Sequence, residues 1–328
     1  MRSCFRSILV DPPAGAVPAG PVPSHFWSEG LLSPDIEMPS HLFGVIKHSR
    51  QGDAPQLLNC ETSKNSSGRH HLSLPKDLHT GRYRIEPGHE VRLSDFDPND
   101  TSGFGGKDED EQKESKKLNE KLRQLQEMLY AEHEQKVLVV LQAMDTGGKD
   151  GVINRVFQGV NPQGVRVAHF KEPTPEELDH GFLWREHKQV PGKGELTIFN
   201  RSHYEGVLIE RVHKIVPEEV WSHRYRQIND FERLLSEEDT TILKFYLHID
   251  NEEQKKRLQQ RLDDPSKRWK FSGDDLPERK LWKEYMKAYE DALNKTSTEW
   301  APWYLIPANH KWYRDLVVSR VIVKVLEK

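Results

Sequence analysis

Five short apolar runs, spaced along an otherwise polar chain, constrain this fold most. Lys136-Val-Leu-Val-Val-Leu141 is apolar without alternation, the pattern of a strand buried on both faces. Val165–Phe170, Leu196–Phe199, Ile242–Ile249 and Trp303–Ile306 are similar runs. Between them lie stretches with helical spacing: Thr174–Lys188, Gly206–Ile215, Tyr225–Leu235, Asn251–Leu262, Leu276–Leu293 and Trp312–Leu326. Strands alternating with helices predict an α/β fold, a parallel sheet with both faces covered. A further helix is expected ahead of the first strand. Leu118, Leu122, Leu125 and Leu129 form one stripe, and the acidic run Asp108 to Glu111 suits a helix N-terminus.

The folded domain is therefore expected over 107–328, with 76–106 as an arm embracing it. Residues 1–75 hold nine of the 20 prolines and keep no period, so they read as a disordered N-terminal extension. Arg2 precedes FRSILV, which itself holds Arg6, and that apolar stretch is too short for a secretory core. The net charge of −4 excludes a globally basic nucleic-acid binder. No apolar run approaches the ~18 residues of a membrane-spanning helix. Two cysteines, Cys4 and Cys60, are too few for a disulfide scaffold or a multi-cysteine zinc site, and fit a reducing cytoplasm.

The chemistry begins where the first strand ends. Gln142-Ala-Met-Asp-Thr-Gly-Gly-Lys-Asp-Gly151 leads into Val152-Ile153 and a helix. Strand, glycine-rich turn and helix together are the context of a phosphate loop. Backbone N–H groups curl around phosphate oxygens there, and the helix N-terminus and Lys149 add positive potential. Against the pattern G-x-x-x-x-G-K-[ST], Ala143 replaces the first glycine and Asp150 replaces the metal-binding hydroxyl. Gly148 and Lys149 are kept. A carboxylate among phosphates needs a cation between them, which makes Asp145 the candidate metal ligand. The plainer reading, a glycine-rich turn with a surface lysine, is disfavoured by the strand before it and the helix after it.

Two more clusters follow. Leu196–Phe199 runs into Asn200-Arg-Ser-His-Tyr-Glu205, and ends of parallel strands are where open α/β sheets bind ligands. Arg201 can grip a phosphoryl oxygen in a fork, or serve as half of a structural ion pair. His203 and Tyr204 read equally as packing or capping residues. Lys255 to Lys270 carries seven Lys and Arg against two Asp. Arg257 and Arg261 fall on one helical face, and Asp264-Pro265 breaks the helix. That segment is either a lid over phosphates or a solvated helix face. Arg185, on an otherwise apolar stretch, needs a phosphate or a carboxylate.

The motifs AMDTGGKDG (143–151), KEPTPEELDHGFLWR (171–185), IFNRSHYEGVLIERV (198–212) and DDPSKRWKFS (263–272) resemble those of the family-2 polyphosphate kinases. The resemblance runs from about Tyr83, including VRLSDFDPND, to the C-terminus. It implies a P-loop kinase fold similar to thymidylate kinase, with a helical lid at about 251–275. It also implies transfer of the terminal phosphoryl group of inorganic polyphosphate to AMP or ADP, reversibly, with Mg²⁺ or Mn²⁺. Catalytic roles would fall to Asp145, Lys149 and Arg201. Asp145 would hold the metal, with Asn200 acting through a water. Gly147, Gly148, Lys149, Asp150 and Gly151 would cradle phosphate. Arg155, Arg185, Arg211, Arg257, Arg261, Lys267 and Arg268 would line the polyphosphate channel and lid. The family usually reads D-R-S where this chain has Asn200-Arg201-Ser202, which weakens direct metal ligation at 200. The single-domain length, KDG and NRSHYE resemble the subgroup that accepts both AMP and ADP. Homo-oligomers, dimers or tetramers, are expected, with no membrane or nucleic-acid partner. The rivals are an ATP-dependent nucleotide kinase on the same fold and a non-catalytic polyanion or nucleotide sensor.

Overall fold

A computed structural model describes residues 81–106, 108–273 and 275–328. The extension expected over 1–75, and the first five residues of the arm, lie outside the described residues. All five apolar runs form strands: β1 (Lys136–Ala143), β2 (Val165–His169), β3 (Leu196–Asn200), β4 (Thr240–His248) and β5 (Trp303–Pro307). They make one parallel sheet in the order β2-β3-β1-β4-β5. Val139 stands between Ile198 and Leu243 at its centre. β3, β4 and β5 are buried at every position, as the unalternating runs require.

Ten α-helices precede, connect and follow the strands among the described residues: α1 (Asp108–Glu132), α2 (Lys149–Val156), α3 (Pro175–Asp179), α4 (Trp184–His187), α5 (Ile209–Val212), α6 (Glu218–Glu237), α7 (Asn251–Asp263), α8 (Asp275–Lys280), α9 (Trp282–Thr296) and α10 (Lys311–Leu326). α1, α2 and α10 pack together in one layer; α5, α6 and α9 form another. Leu122, Leu125 and Leu129 of the α1 stripe are buried, and Leu118 packs against the core.

Three helical stretches are shorter than their periodicity suggests. Thr174–Lys188 divides into α3 and α4. Thr174 and Glu177 form a capping box that starts α3, and Gly181, a poor helix former, turns the chain into α4. Gly206–Ile215 is a 3-10 turn, His203–Val207, followed by the single turn of α5. Leu276–Leu293 divides at Leu281, whose N–H closes α8 on Glu278 O at 3.1 Å.

Residues 81–106 run along the β5 edge. Arg84 bridges Tyr304 antiparallel, and Ile85 N–H donates to Trp303 O at 2.8 Å. Val91 exchanges two hydrogen bonds with the Asn294 side chain of α9. Gly103 N–H reaches the Tyr313 hydroxyl of α10 at 2.9 Å.

Candidate active site

The central strand β1 delivers the loop 144–148 to the C-terminal edge of the sheet, flanked by the ends of β3 and β4. That is the ligand crevice of an open α/β sheet. A cavity of about 1180 Å³ opens there. Asp145, Gly147, Gly148, Lys149, Asp150, Gly151, Asn200, Arg201, Arg257, Arg261 and Lys267 all line it. Residues from three separate sequence motifs therefore meet in one site.

The loop is tight. Gly147 N–H donates to Met144 O at 2.8 Å. Gly148 caps α2 with φ +106°, a conformation that glycine adopts without penalty. A Cβ at Gly148 would overlap the Arg314 guanidinium, and one at Gly151 would come within 2.9 Å of it. So the two glycines admit a cation from α10 against the loop. Lys149 Nζ donates to Ala143 O at 3.0 Å, folding the lysine back over the turn. Burial lowers its pKa first, and the nearby Arg201 lowers it further.

Arg201 has φ +63°, costly for a residue with a Cβ, and such strain concentrates at functional sites. Its N–H is tied to Leu141 O at 3.2 Å. Its Nη2 donates to Asp145 Oδ1 at 3.1 Å, so the arginine after β3 meets the aspartate after β1. Burial opposes the charge of Arg201, but Glu205 and Asp145 outweigh it and raise the pKa. Glu205 also lines the cavity. Its pKa is raised by burial, against the pull of Arg201 and Lys149.

Asn200 Nδ2 donates to Asp150 Oδ1 at 2.9 Å and lies 3.1 Å from His169 Nδ1. An aspartate at 200 would set two carboxylates against each other there. The asparagine and Asp150 are thus one paired feature.

Other expected residues are placed elsewhere. Arg185 is held by Lys171 O at 2.8 Å and Glu186 at 3.1 Å. Arg211 pairs with Asp291 at 2.7 Å and lies over the Trp221 ring. Arg268 bonds Leu262 O at 2.8 Å. None of the three lines the cavity. Arg155 lines an adjoining groove of about 1060 Å³, together with Lys116, Arg123 and Lys256. The two spaces share Gly151, Gln260, Lys311 and Arg314. Arg257 is buried and does not lie on a solvated helix face. All five of its N–H donors are engaged: on Glu253, Thr146 O, Gly147 O, Ala308 O and Asn309 O.

Sequence reasoning missed Lys311, Arg314, Glu205, Tyr285 and Tyr289, all on the cavity wall, which Lys270 of the basic segment also lines. Only the glycines at 148 and 151 signalled that something large lies against the loop. His203 and Tyr204 prove to be core residues: both bond the buried Glu232, which also pairs with Lys244 at 2.6 Å.

Residues 105–328 match the model of the family described as polyphosphate kinase 2. The chain belongs to this family. Among its relatives, the AMP/ADP-polyphosphate phosphotransferase of Meiothermus ruber is 58% identical over 246 residues, covering 75% of this chain and 92% of the relative. The ADP-polyphosphate phosphotransferase of Rhodopseudomonas palustris is 42% identical over 262 residues, covering 76% and 90%. The crystal structure of polyphosphate kinase 2 from Arthrobacter aurescens TC1 superposes with a TM-score of 0.74 at 44% identity, covering 78% of this chain and 91% of that one. The P-loop kinase-like fold expected from the motifs is thus the fold of the family. Among the described residues, no helix is long and apolar enough to cross a membrane.

Proposed function

We propose that this polyphosphate kinase 2 transfers the terminal phosphoryl group of inorganic polyphosphate to AMP or ADP. An acceptor phosphate oxygen attacks the terminal phosphorus, and the bridging P–O bond breaks. Its electron pair stays on the shortened polyphosphate. The acceptor oxygen is already largely ionised near neutral pH, as phosphate second ionisations fall near ~6. The reaction therefore calls for alignment and charge neutralisation more than for a general base. The observation that carries this reading is the Asp145–Arg201 pair beside Lys149, in a cavity walled by Arg261, Lys267, Lys311 and Arg314. Lys149 and Arg201 would stabilise charge on the transferring group, and Arg261 and Lys267 would hold the donor chain. Arg155, in the adjoining groove, would meet phosphates farther along it.

The donor set fits a hard divalent cation. Asp145 and Asp150 present carboxylates to the cavity, and Mg²⁺ binds through one or two carboxylates plus substrate phosphates. Among the described residues no group of three or more His, Cys, Asp or Glu is placed to hold a metal, so substrate phosphates and water would have to supply the remaining ligands. Asp145 would hold it, and Asn200 could orient a water at most, since its amide is committed to Asp150. Mg²⁺ or Mn²⁺, when bound, neutralises phosphate oxygens.

The same reading includes acceptance of both AMP and ADP, carried by the Asn200–Asp150 pair and the similarity to the Meiothermus ruber protein. A cytoplasmic dimer or tetramer belongs to it too, resting on the family resemblance and the cysteine usage. Incubating the protein with Mg²⁺ and ADP, with and without polyphosphate, should yield ATP only when polyphosphate is present. Equal product in its absence, or none in either arm, would reject the proposal.

A further inference from the structure

Three successive carbonyls of the loop turn towards α7, and each meets one of its side chains. Gln254 Nε2 donates to Asp145 O at 3.1 Å. Arg257 Nη1 donates to Thr146 O at 3.0 Å and Gly147 O at 3.1 Å. A peptide group is planar and trans, so fixing a carbonyl fixes the N–H of the next residue on the opposite side. These bonds therefore aim the amides of Thr146 and Gly148 away from α7. The Gly147 amide is taken by Met144 O. Thr146, with φ +64°, keeps a strained conformation that such external bonds can sustain.

Gln254 is only 1% exposed, and its amide is oriented from outside the loop. Its Oε1 accepts from Arg279 Nη1 at 2.8 Å. A cation on the amide oxygen leaves the NH₂ end for Asp145 O. Arg279 belongs to α8 and also grips Asn251 O at 3.0 Å and Asn251 Oδ1 at 2.7 Å, at the start of α7. Residues 264–273, whose Lys267, Trp269 and Lys270 line the cavity, connect these helices through residue 274. The base of that segment is thus stapled at Gln254, and Gln254 is stapled to the main chain of Asp145.

We infer that Arg279 and Gln254 are positioning residues. They pass the placement of the α7–α8 segment to Asp145, and through it to the Asp145–Arg201 pair. Arg279 does not line the cavity and acts only through Gln254 and Asn251. The inference rests on the phosphotransferase reading above, for it needs a turnover to measure.

The test uses the full chain with Arg279→Met, Arg279→Lys and Gln254→Glu, assayed with polyphosphate and ADP alongside thermal unfolding. Gln254→Glu keeps an acceptor for Arg279 but sets an oxygen against Asp145 O. Arg279→Met and Gln254→Glu should each lower kcat about tenfold or more, with both KM values within about twofold of wild type. Arg279→Lys should recover part of the loss, and unfolding midpoints should move by only a few degrees. Wild-type kcat in Arg279→Met or in Gln254→Glu would overturn the inference. So would a loss of activity that merely follows the fraction unfolded at the assay temperature. Failure of the wild type to use polyphosphate would instead reject the functional reading, so the two failures are distinguishable.

Discussion

Asp145, Lys149 and Arg201 meet at the loop, and the proposed transfer depends on all three. Replacing Asp145 by Asn, or Lys149 by Ala, should lower the rate of transfer at least ~100-fold in initial-rate assays, the loss expected for one preorganised contact. Near-wild-type turnover in either would remove that residue from the mechanism. Two basic residues from the same sequence reading should part company. Lys267 lines the cavity, so Lys267→Ala should raise KM for long polyphosphate. Arg211 is committed to Asp291 and Tyr225, so Arg211→Ala should lower the unfolding midpoint and leave that KM unchanged. The loop residues were legible because a phosphate loop is a local pattern, written in consecutive positions. Arg314 and Glu205 were not, because only the tertiary fold brings them to the loop. Arg257 was half-legible. Helical spacing shows which side chains share a face, but not that five acceptors wait for one of them.

At the scale of elements, the strands were the most legible part. Burial on both faces leaves no room for alternation, and each run appears in the sheet to within two residues at either end. The divided helices were less so, since periodicity runs unbroken across Gly181 and Leu281 while the backbone does not. What fastens the elements together was hidden altogether. Lys244 of β4 and Glu232 of α6, both fully buried, pair at 2.6 Å, and Tyr204 and His203 from the turn after β3 join them. Lys244→Met would leave the buried Glu232 without its ammonium partner, a loss of about 3–5 kcal/mol in unfolding free energy, measurable by denaturant titration. Burial works against the Glu232 carboxylate, and Lys244 and His203 outweigh it, holding its pKa low. A depressed carboxylate contributes stability at pH above its unfolded value and loses it as pH falls. The wild type should therefore lose stability as pH falls through the glutamate range and below. That acid-dependent loss should shrink in the double variant Lys244→Met, Glu232→Leu.

For the whole molecule, the chain's charge is near balance, at −4, yet its cations gather where the sheet opens. Three distant motifs and α10 send Lys149, Arg201, Lys267 and Arg314 to one cavity. A polyanionic donor accounts for that distribution better than a single nucleotide would, and the family match agrees with it. The most direct measurement supplies Mg²⁺ and polyphosphate with AMP and ADP as separate acceptors, and separates the nucleotide products by chromatography. AMP should yield ADP and ADP should yield ATP, both dependent on polyphosphate and both lost in Asp145→Asn. Product formation that requires ATP as donor, or that survives in Asp145→Asn, would contradict the proposed transfer.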